Sequence, residues 1–240
     1  MTLQALTLDL DDTLWPVLPT LRRAEARMQA WLQQHAPATG VSLDAATMRT
    51  LRAALLAERP DWAHDLGRLR RECTRRALLA AGDDPALAEP AFEVFYAARH
   101  DVTLYPDVLP ALRRLAARWP IVALTNGNAD VQRVPGLGRW FHGAVSAQDL
   151  GVSKPAAAAF HAACQRAGAE PAHTLHIGDD AAFDVDGALE AGLQAAWVRR
   201  SDGPGGLSDA LADGPAAAPP RGAAQHVVSS LTELADRLGC

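Results

Sequence analysis

Leu3-Gln4-Ala5-Leu6-Thr7-Leu8 runs directly into Asp9-Leu10-Asp11-Asp12-Thr13-Leu14. The first half is a short apolar run of the kind that forms a buried strand. The second half puts carboxylates where that strand should emerge into solvent. Residues two apart on a strand point the same way, so Asp9 and Asp11 start on one side while Leu10 turns into the protein. Carboxylates this close repel unless a cation or a shared proton intervenes. Such a pair suits divalent-metal binding, nucleophilic attack by one carboxylate and acid–base work by the other. An Asp-rich turn after a strand would explain the hexapeptide with no chemistry at all, so its meaning depends on what the other strand ends carry.

From Ile121 onward, short apolar runs alternate with helical stretches, as a parallel sheet with crossover helices requires. The expected strands are 3–8, 121–124, 143–146, 174–177, 194–198 and 226–228, with helices over 108–118, 156–167, 181–191 and 231–238. Gly168 and Gly192 follow two of these helices as C-terminal stops. The predicted fold is therefore α/β, a Rossmann-like parallel sheet with crossover helices. Residues 15–101 differ: they are rich in Arg, Ala and Leu with a 3.6-residue period, and read as an inserted helical domain between core segments 1–14 and 102–240. After Asp65, the residues Leu66, Leu69, Cys73, Ala77 and Ala80 trace one buried face, and Arg68, Arg71 and Arg75 trace another. That arginine stripe reads as a solvated face, with attraction of an anionic substrate as the alternative. Residues 201–222, rich in Gly, Pro, Ala and Asp without a period, read as a connector.

The 240 residues are 49% hydrophobic with a net charge of −5. That length can bury a sizeable core, and the charge argues against a general nucleic-acid or anionic-membrane binder. No run approaches the roughly 20 apolar residues of a membrane span, and no leader segment is seen. Cys73, Cys164 and Cys240 fit neither a disulfide framework nor a zinc site. A cytoplasmic protein, monomeric or homodimeric, is expected.

Three further polar clusters follow strands as Asp9 does, at the sheet edge where open α/β folds bind ligands. Thr125-Asn126-Gly127 offers a hydroxyl and backbone N–H groups for phosphate oxygens. Ser153-Lys154-Pro155 places an ammonium before a helix, where Pro155 suits the first turn. Gly178-Asp179-Asp180, with Asp184 beyond, returns acids to a strand end. Mg²⁺ prefers a few carboxylate oxygens completed by water and phosphate, which Asp9, the Asp11 carbonyl and Asp179 would supply. Asp180 and Asp184 stand behind them, Asp184 orienting Lys154 or a metal-bound water. Asp186 is expected to face solvent, His176 to be a packed core histidine, and Trp15 to pack at the entrance to the insertion.

Taken in order, the four clusters resemble the motif set of the haloacid-dehalogenase-like hydrolase superfamily: Asp-x-Asp-x-Thr, then Thr or Ser, then Lys, then Gly-Asp-Asp-x-x-x-Asp. The resemblance spans nearly the whole chain, and the helical insertion is similar to that family's α-helical cap. Dehalogenases of the superfamily have no carboxylate at the position of Asp11, whereas its phosphatases use one as acid–base, so the chain looks like a phosphatase. The strings Trp119 to Asn128, Gly136-Leu137-Gly138, His176 to Asp180 and Gln194 to Trp197, with His64-Asp65, are similar to bacterial phosphatases acting on flavin mononucleotide and on the phosphorylated ribitylaminouracil precursor of riboflavin.

The resemblance implies an Mg²⁺-dependent phosphomonoester hydrolase of a small phosphorylated metabolite. Asp9 would be the nucleophile, Asp11 the acid–base, and Thr125, Asn126, Gly127 and Lys154 the groups that hold the phosphoryl oxygens. Two other readings share the groups. A receiver-like signalling protein also has a phosphorylated Asp with a Thr and a Lys, but its acceptor should follow a middle strand of the chain and it has no room for this insertion. A module that only binds phosphorylated ligands would not need a candidate for every catalytic role.

Overall fold

The structure, a computed structural model, describes residues 2–200 and 219–240. Most of the stretch read as a connector, residues 201–218, lies outside the described residues. The strands are β1 (Ala5–Leu8), β2 (Ile121–Thr125), β3 (Gly143–Ser146), β4 (Thr174–Gly178), β5 (Gln194–Val198) and β6 (His226–Val228). The first five helices are α1 (Val17–His35), α2 (Pro37–Ser42), α3 (Ala45–Glu58), α4 (Leu66–Ala81) and α5 (Ala88–Arg99). They are followed by α6 (Val108–Ala116), α7 (Ala147–Leu150), α8 (Ala157–Ala167), α9 (Gly187–Glu190) and α10 (Leu231–Arg237). The chain divides into two compact units, Met1–Val17 with Val102–Cys240, and Leu18–Asp101. Trp15, Pro16 and Val17 thus belong with the sheet, three residues beyond the boundary expected after Leu14.

In the first unit all six strands are parallel, in the order β3-β2-β1-β4-β5-β6. Alternation along each strand separates two apolar faces. Leu6, Leu8, Ile121, Ala123, Leu175 and Ile177 meet Val108, Leu112 and Leu115 of α6 and Leu231 and Leu234 of α10. Val122, Leu124 and Ala195 meet Phe160, Ala163 and Cys164 of α8 and Ala188 of α9 on the other face. The chain steps outward from β1 through β2 to β3, then crosses back to β4 on the other side of β1. The carboxyl ends of β1 and β4 therefore flank the point where strand order reverses, which is where such sheets bind ligands.

One helix expected from sequence is replaced by two elements. Residues Ala181–Asp186 form a wide π turn before α9. The backbone N–H groups of Asp184 and Val185 both donate to the Asp180 carbonyl, at 3.0 and 3.1 Å. The Asp180 side chain caps the turn by accepting from the N–H groups of Ala182 and Phe183, each at 2.8 Å. Widened turns of this kind recur at functional sites because they re-aim a side chain, and here the re-aimed side chain is Asp184. Asp186 does not simply face solvent: its carboxylate accepts from the backbone N–H groups of Arg221 and Gly222.

The second unit is entirely helical among its described residues. Ala24, Met28 and Leu32 of α1 pack with Ala77 and Leu78 of α4 and with Phe92 and Phe95 of α5. Asp65 caps α4 by accepting from the Arg68 N–H, and Gly82 ends it in the left-handed conformation at φ 81°. Leu69, Cys73 and Ala77 are buried as expected, but Ala80 is exposed because α4 ends one residue later. The arginine stripe is largely neutralised. Arg71 pairs with Glu89, Arg75 pairs with Glu72, and the Arg68 guanidinium lies 3.9 Å from the centre of the Trp62 ring. No described helix is long and apolar enough to cross a membrane.

Leu112 and Leu109 test the burial pattern of α6, since the first is fully buried and the second is 41% exposed. Leu112→Ala should cost about 2–5 kcal/mol and Leu109→Ala less than about 0.5 kcal/mol, read from guanidinium unfolding midpoints.

Candidate active site

The first strand end delivers Asp9 to the switch point of the sheet. Its N–H donates to the Ile177 carbonyl at 2.9 Å, so Asp9 continues the β1–β4 ladder one step past the strand. Lys154 reaches the same place from the segment before α8. Its Nζ donates to Asp9 Oδ1 and to Asp184 Oδ1, each at 2.6 Å, with the ammonium 3% exposed. Asp9, Asp179 and Asp184 each turn one carboxylate oxygen to within 4.8 Å of the others.

Each of these groups is held by neighbours. Asn126 grips the Lys154 backbone twice: its Oδ1 accepts from the Lys154 N–H at 2.8 Å, and its Nδ2 donates to the Lys154 carbonyl at 2.9 Å. Lys154 is followed by a cis peptide to Pro155, and α8 begins only at Ala157, so Pro155 stands outside the helix rather than in its first turn. The Thr125 hydroxyl oxygen accepts from the Gly127 N–H at 3.0 Å, closing the turn after β2. Thr13 donates its hydroxyl to Asp179 Oδ1 at 3.0 Å, and Trp197 Nε1 donates to the Asp179 carbonyl at 2.8 Å. Asp184 Oδ2 accepts from the Asp180 N–H at 2.9 Å. A Cβ on Gly178 would collide with the Asp184 carboxylate, so only glycine lets that side chain lie over the end of β4.

The loop carrying Asp11 is equally determined. Asp11 Oδ1 accepts from Trp15 Nε1 at 2.9 Å, and both side chains are buried. Asp12 turns the chain with φ 57°, a left-handed conformation that aspartate tolerates better than most residues. Its carboxylate then accepts from the Val17 N–H at 2.9 Å and caps the start of α1. Arg200 donates to the Thr13 carbonyl through Nε and Nη2 and pairs with Asp107 through Nη1 at 2.7 Å. Asp107 in turn accepts from the Leu231 N–H.

The electrostatics are unbalanced, with three carboxylates around one ammonium. Burial pushes the Asp9 carboxyl up to about 8, with Lys154 pulling the other way. Burial and the neighbouring Asp9 charge push Asp179 well above the carboxylate range. Burial works against charge on Lys154 too, yet Asp184 and Asp9 raise its affinity for the proton. Burial also opposes charge on Asp184, but Lys154 and His176 hold it far below the carboxylate range. Lys154 and Asp184 are therefore an ion pair that stays charged, while Asp9 and Asp179 hold their protons more tightly than ordinary carboxyls, because one ammonium cannot balance three buried carboxylates. Clustered hard oxygen donors that outnumber the nearby positive charge fit a divalent cation such as Mg²⁺.

Sequence reasoning brought Asp9, Lys154, Asp179 and Asp184 to one place, and the structure puts them within hydrogen-bonding or metal-ligating reach. Thr125, Asn126 and Gly127 leave β2 at the same edge, although the Asn126 side chain is engaged with Lys154. The carboxylate cluster is Asp9, Asp179 and Asp184, while Asp11, whose expected ligand is its backbone carbonyl, has its carboxylate held by Trp15. Trp15 itself is a core residue of the sheet unit rather than packing for an insertion. Asp180 acts as the cap of the π turn. His176 is buried as expected but does more than pack, since Nδ1 lies 2.9 Å from Thr7 Oγ1 and Nε2 lies 3.0 Å from Asp184 Oδ1. Burial lowers its proton affinity, which Asp184 offsets only in part. Arg200 and Trp197 gave no chemical signal in sequence, because each acts on a backbone carbonyl whose position only the fold reveals.

A family model described as haloacid dehalogenase-like hydrolase matches residues 3–192. The chain is 34% identical over 205 residues to 5-amino-6-(5-phospho-D-ribitylamino)uracil phosphatase YigB of Escherichia coli (strain K12), covering 84% of this chain and 85% of that protein. It is 31% identical over 225 residues to a phosphoserine phosphatase of Thermus thermophilus, covering 82% and 89%. Among solved structures, a 2-haloacid dehalogenase from Pseudomonas syringae pv. Tomato DC3000 superposes with a TM-score of 0.84 at 34% identity, covering 99% of both chains.

Gly178→Ala forces Asp184 away from the strand end or shifts the backbone. The expected cost is about 1–3 kcal/mol, seen as a lower thermal unfolding midpoint; an unchanged midpoint would mean that Asp184 has another favourable position.

Proposed function

Because the chain belongs to the haloacid dehalogenase-like hydrolases, we propose that it hydrolyses phosphomonoesters of small metabolites, with Asp9 carrying the phosphoryl group between two half-reactions. The supporting observation is the meeting of Asp9, Asp179, Asp184 and Lys154 at the switch point of the sheet. In the first half-reaction an Asp9 oxygen attacks phosphorus as the bond from phosphorus to the ester oxygen breaks. Asp11 gives its proton to the departing alkoxide. In the second, Asp11 takes a proton from water as that water attacks the aspartyl-phosphate, releasing phosphate and restoring Asp9. Lys154, the Thr125 hydroxyl and the backbone N–H groups of Asn126 and Gly127 hold the remaining phosphoryl oxygens. Asp9, Asp179 and the Asp11 carbonyl would hold Mg²⁺, which when bound supplies positive charge against the phosphoryl oxygens. In this reading the helical unit, Leu18–Asp101, is the cap, and flavin mononucleotide and phosphorylated ribitylaminouracil head the substrate candidates, supported by the likeness to the Escherichia coli phosphatase. The cytoplasm is the expected compartment.

The likeness to a dehalogenase favours a second reading, in which Asp9 displaces halide from a 2-haloacid. Asp11 argues for phosphate: a halide leaves without a proton, so halide displacement gives no use to a buried carboxylate anchored by Trp15.

Wild-type protein should release phosphate from an aryl phosphate and no chloride from a 2-chloroacid; the opposite pair of results would install the dehalogenase reading. Asp9→Asn should reduce phosphate release to background. Asp11→Asn should lose about 10²–10⁴-fold on an alkyl phosphate and much less on an aryl phosphate, whose leaving group needs no acid. Equal losses on the two esters would remove Asp11 from the acid–base role. Chelation should abolish activity and Mg²⁺ restore it. Mg²⁺ should also raise the thermal midpoint of the wild type but not of Asp179→Asn, a readout that needs no turnover.

A further inference from the structure

We infer that His176 is a positioning residue for the site: its Nε2–H clamps Asp184 so that Asp184 alone can hold the Lys154 ammonium, and the Thr7 hydroxyl fixes the imidazole from behind. This rests on the phosphatase reading for its consequence in catalysis, though not for the contact itself. Thr7 and His176 are Cα partners in the β1–β4 register, so their side chains project from the same face of the sheet. Phe160 of α8 meets the imidazole edge-on, with ring centres 5.0 Å apart at 89°, and fixes its plane. The imidazole is then bounded by Thr7 Oγ1 at 2.9 Å on Nδ1 and Asp184 Oδ1 at 3.0 Å on Nε2. Asp184, as a carboxylate, only accepts, so Nε2 must carry the proton whatever the state of Nδ1.

Asp184 thereby receives donors on both oxygens: Lys154 and His176 on Oδ1, and the Asp180 N–H on Oδ2. Rotation of the carboxylate would break these contacts, so they hold its orientation. The need for such a fixture follows from the reaction. At rest, Lys154 is shared between Asp9 and Asp184. When an Asp9 oxygen bonds to phosphorus, that carboxylate loses its charge, and Asp184 becomes the remaining carboxylate on the ammonium. A carboxylate free to turn would let Lys154 drift from the phosphoryl oxygens during the second half-reaction. Partners that hold a functional group in this way typically matter about tenfold to a hundredfold.

His176→Leu keeps an apolar side chain against Phe160 and removes the donor; His176→Gln keeps an N–H at matching reach. His176→Leu should lower kcat on an aryl phosphate about tenfold to a hundredfold with KM nearly unchanged, and His176→Gln should recover most of that loss. Wild-type kcat in a folded His176→Leu, or equal impairment of the Leu and Gln variants at equal thermal midpoints, would overturn the inference. Should His176→Leu fail to fold, ¹⁵N-histidine spectra of the metal-free protein decide it. One imidazole should keep Nε2 protonated across neutral pH, respond to Thr7→Val, and return to its original signal in Thr7→Ser. An imidazole signal indifferent to Thr7→Val would overturn the proposal. Absence of any hydrolysis by the wild type would defeat the phosphatase reading instead, while those spectra would still report the clamp.

Discussion

The buried ammonium of Lys154, bonded at once to Asp9 and Asp184, is the interaction around which the site is organised. Removing a charge from water costs several kcal/mol unless it is paired and its hydrogen bonds are satisfied, and here the pairing draws on three remote parts of the chain. Asp9 comes from the end of β1, Asp184 from the π turn after β4, and Lys154 from the segment that Asn126 grips. Loss of Lys154 would leave the buried Asp9 and Asp184 carboxylates without their shared counter-ion. The fold around the site is thus constrained by electrostatics as well as by apolar packing.

The sheet supplies the frame for that meeting. Parallel strands put all their carboxyl ends on one edge, and the reversal of order between β1 and β4 opens the edge where Asp9 and Asp179 emerge. Apolar packing on both faces of the sheet supports this edge, which suits a site that must hold several groups at fixed separations. Asp179 is anchored by Thr13 and Trp197, and the Thr13 loop by Arg200, which opposes relief of the repulsion between Asp9 and Asp179 by their moving apart. A proton or a cation relieves that repulsion, and in the proposed reaction a cation together with Lys154 would offset the carboxylates for an incoming dianionic ester.

Two features exceed the sequence reading, one for a local reason and one for a tertiary reason. Residues 181–191 carry a helical pattern, but Asp180 can serve as a side-chain cap and as a shared carbonyl acceptor, and that local competition widens the turn. His176 sits in an apolar run and reads as core, because a run of neighbours says nothing about which polar group lies across the sheet. Its partners, Thr7 and Asp184, are set by strand register and by the widened turn. Asn126 shows the same limit from the other direction, since its position was legible and its side-chain partner was not.

The chain alone determined the inventory and its placement. Short apolar runs ending in Asp9, Thr125 and Asp179 require a parallel sheet with polar groups at its carboxyl edge, because period and burial are local properties of the sequence. Only the tertiary structure decided the pairings: Lys154 with both Asp9 and Asp184, Asp11 with Trp15, and His176 between Thr7 and Asp184. Those contacts join residues from separate elements, except for Asp11 with Trp15, which depends on the left-handed turn at Asp12. Their geometry is set by register, strand order and turn width, and all three exist only once the sheet has closed around them.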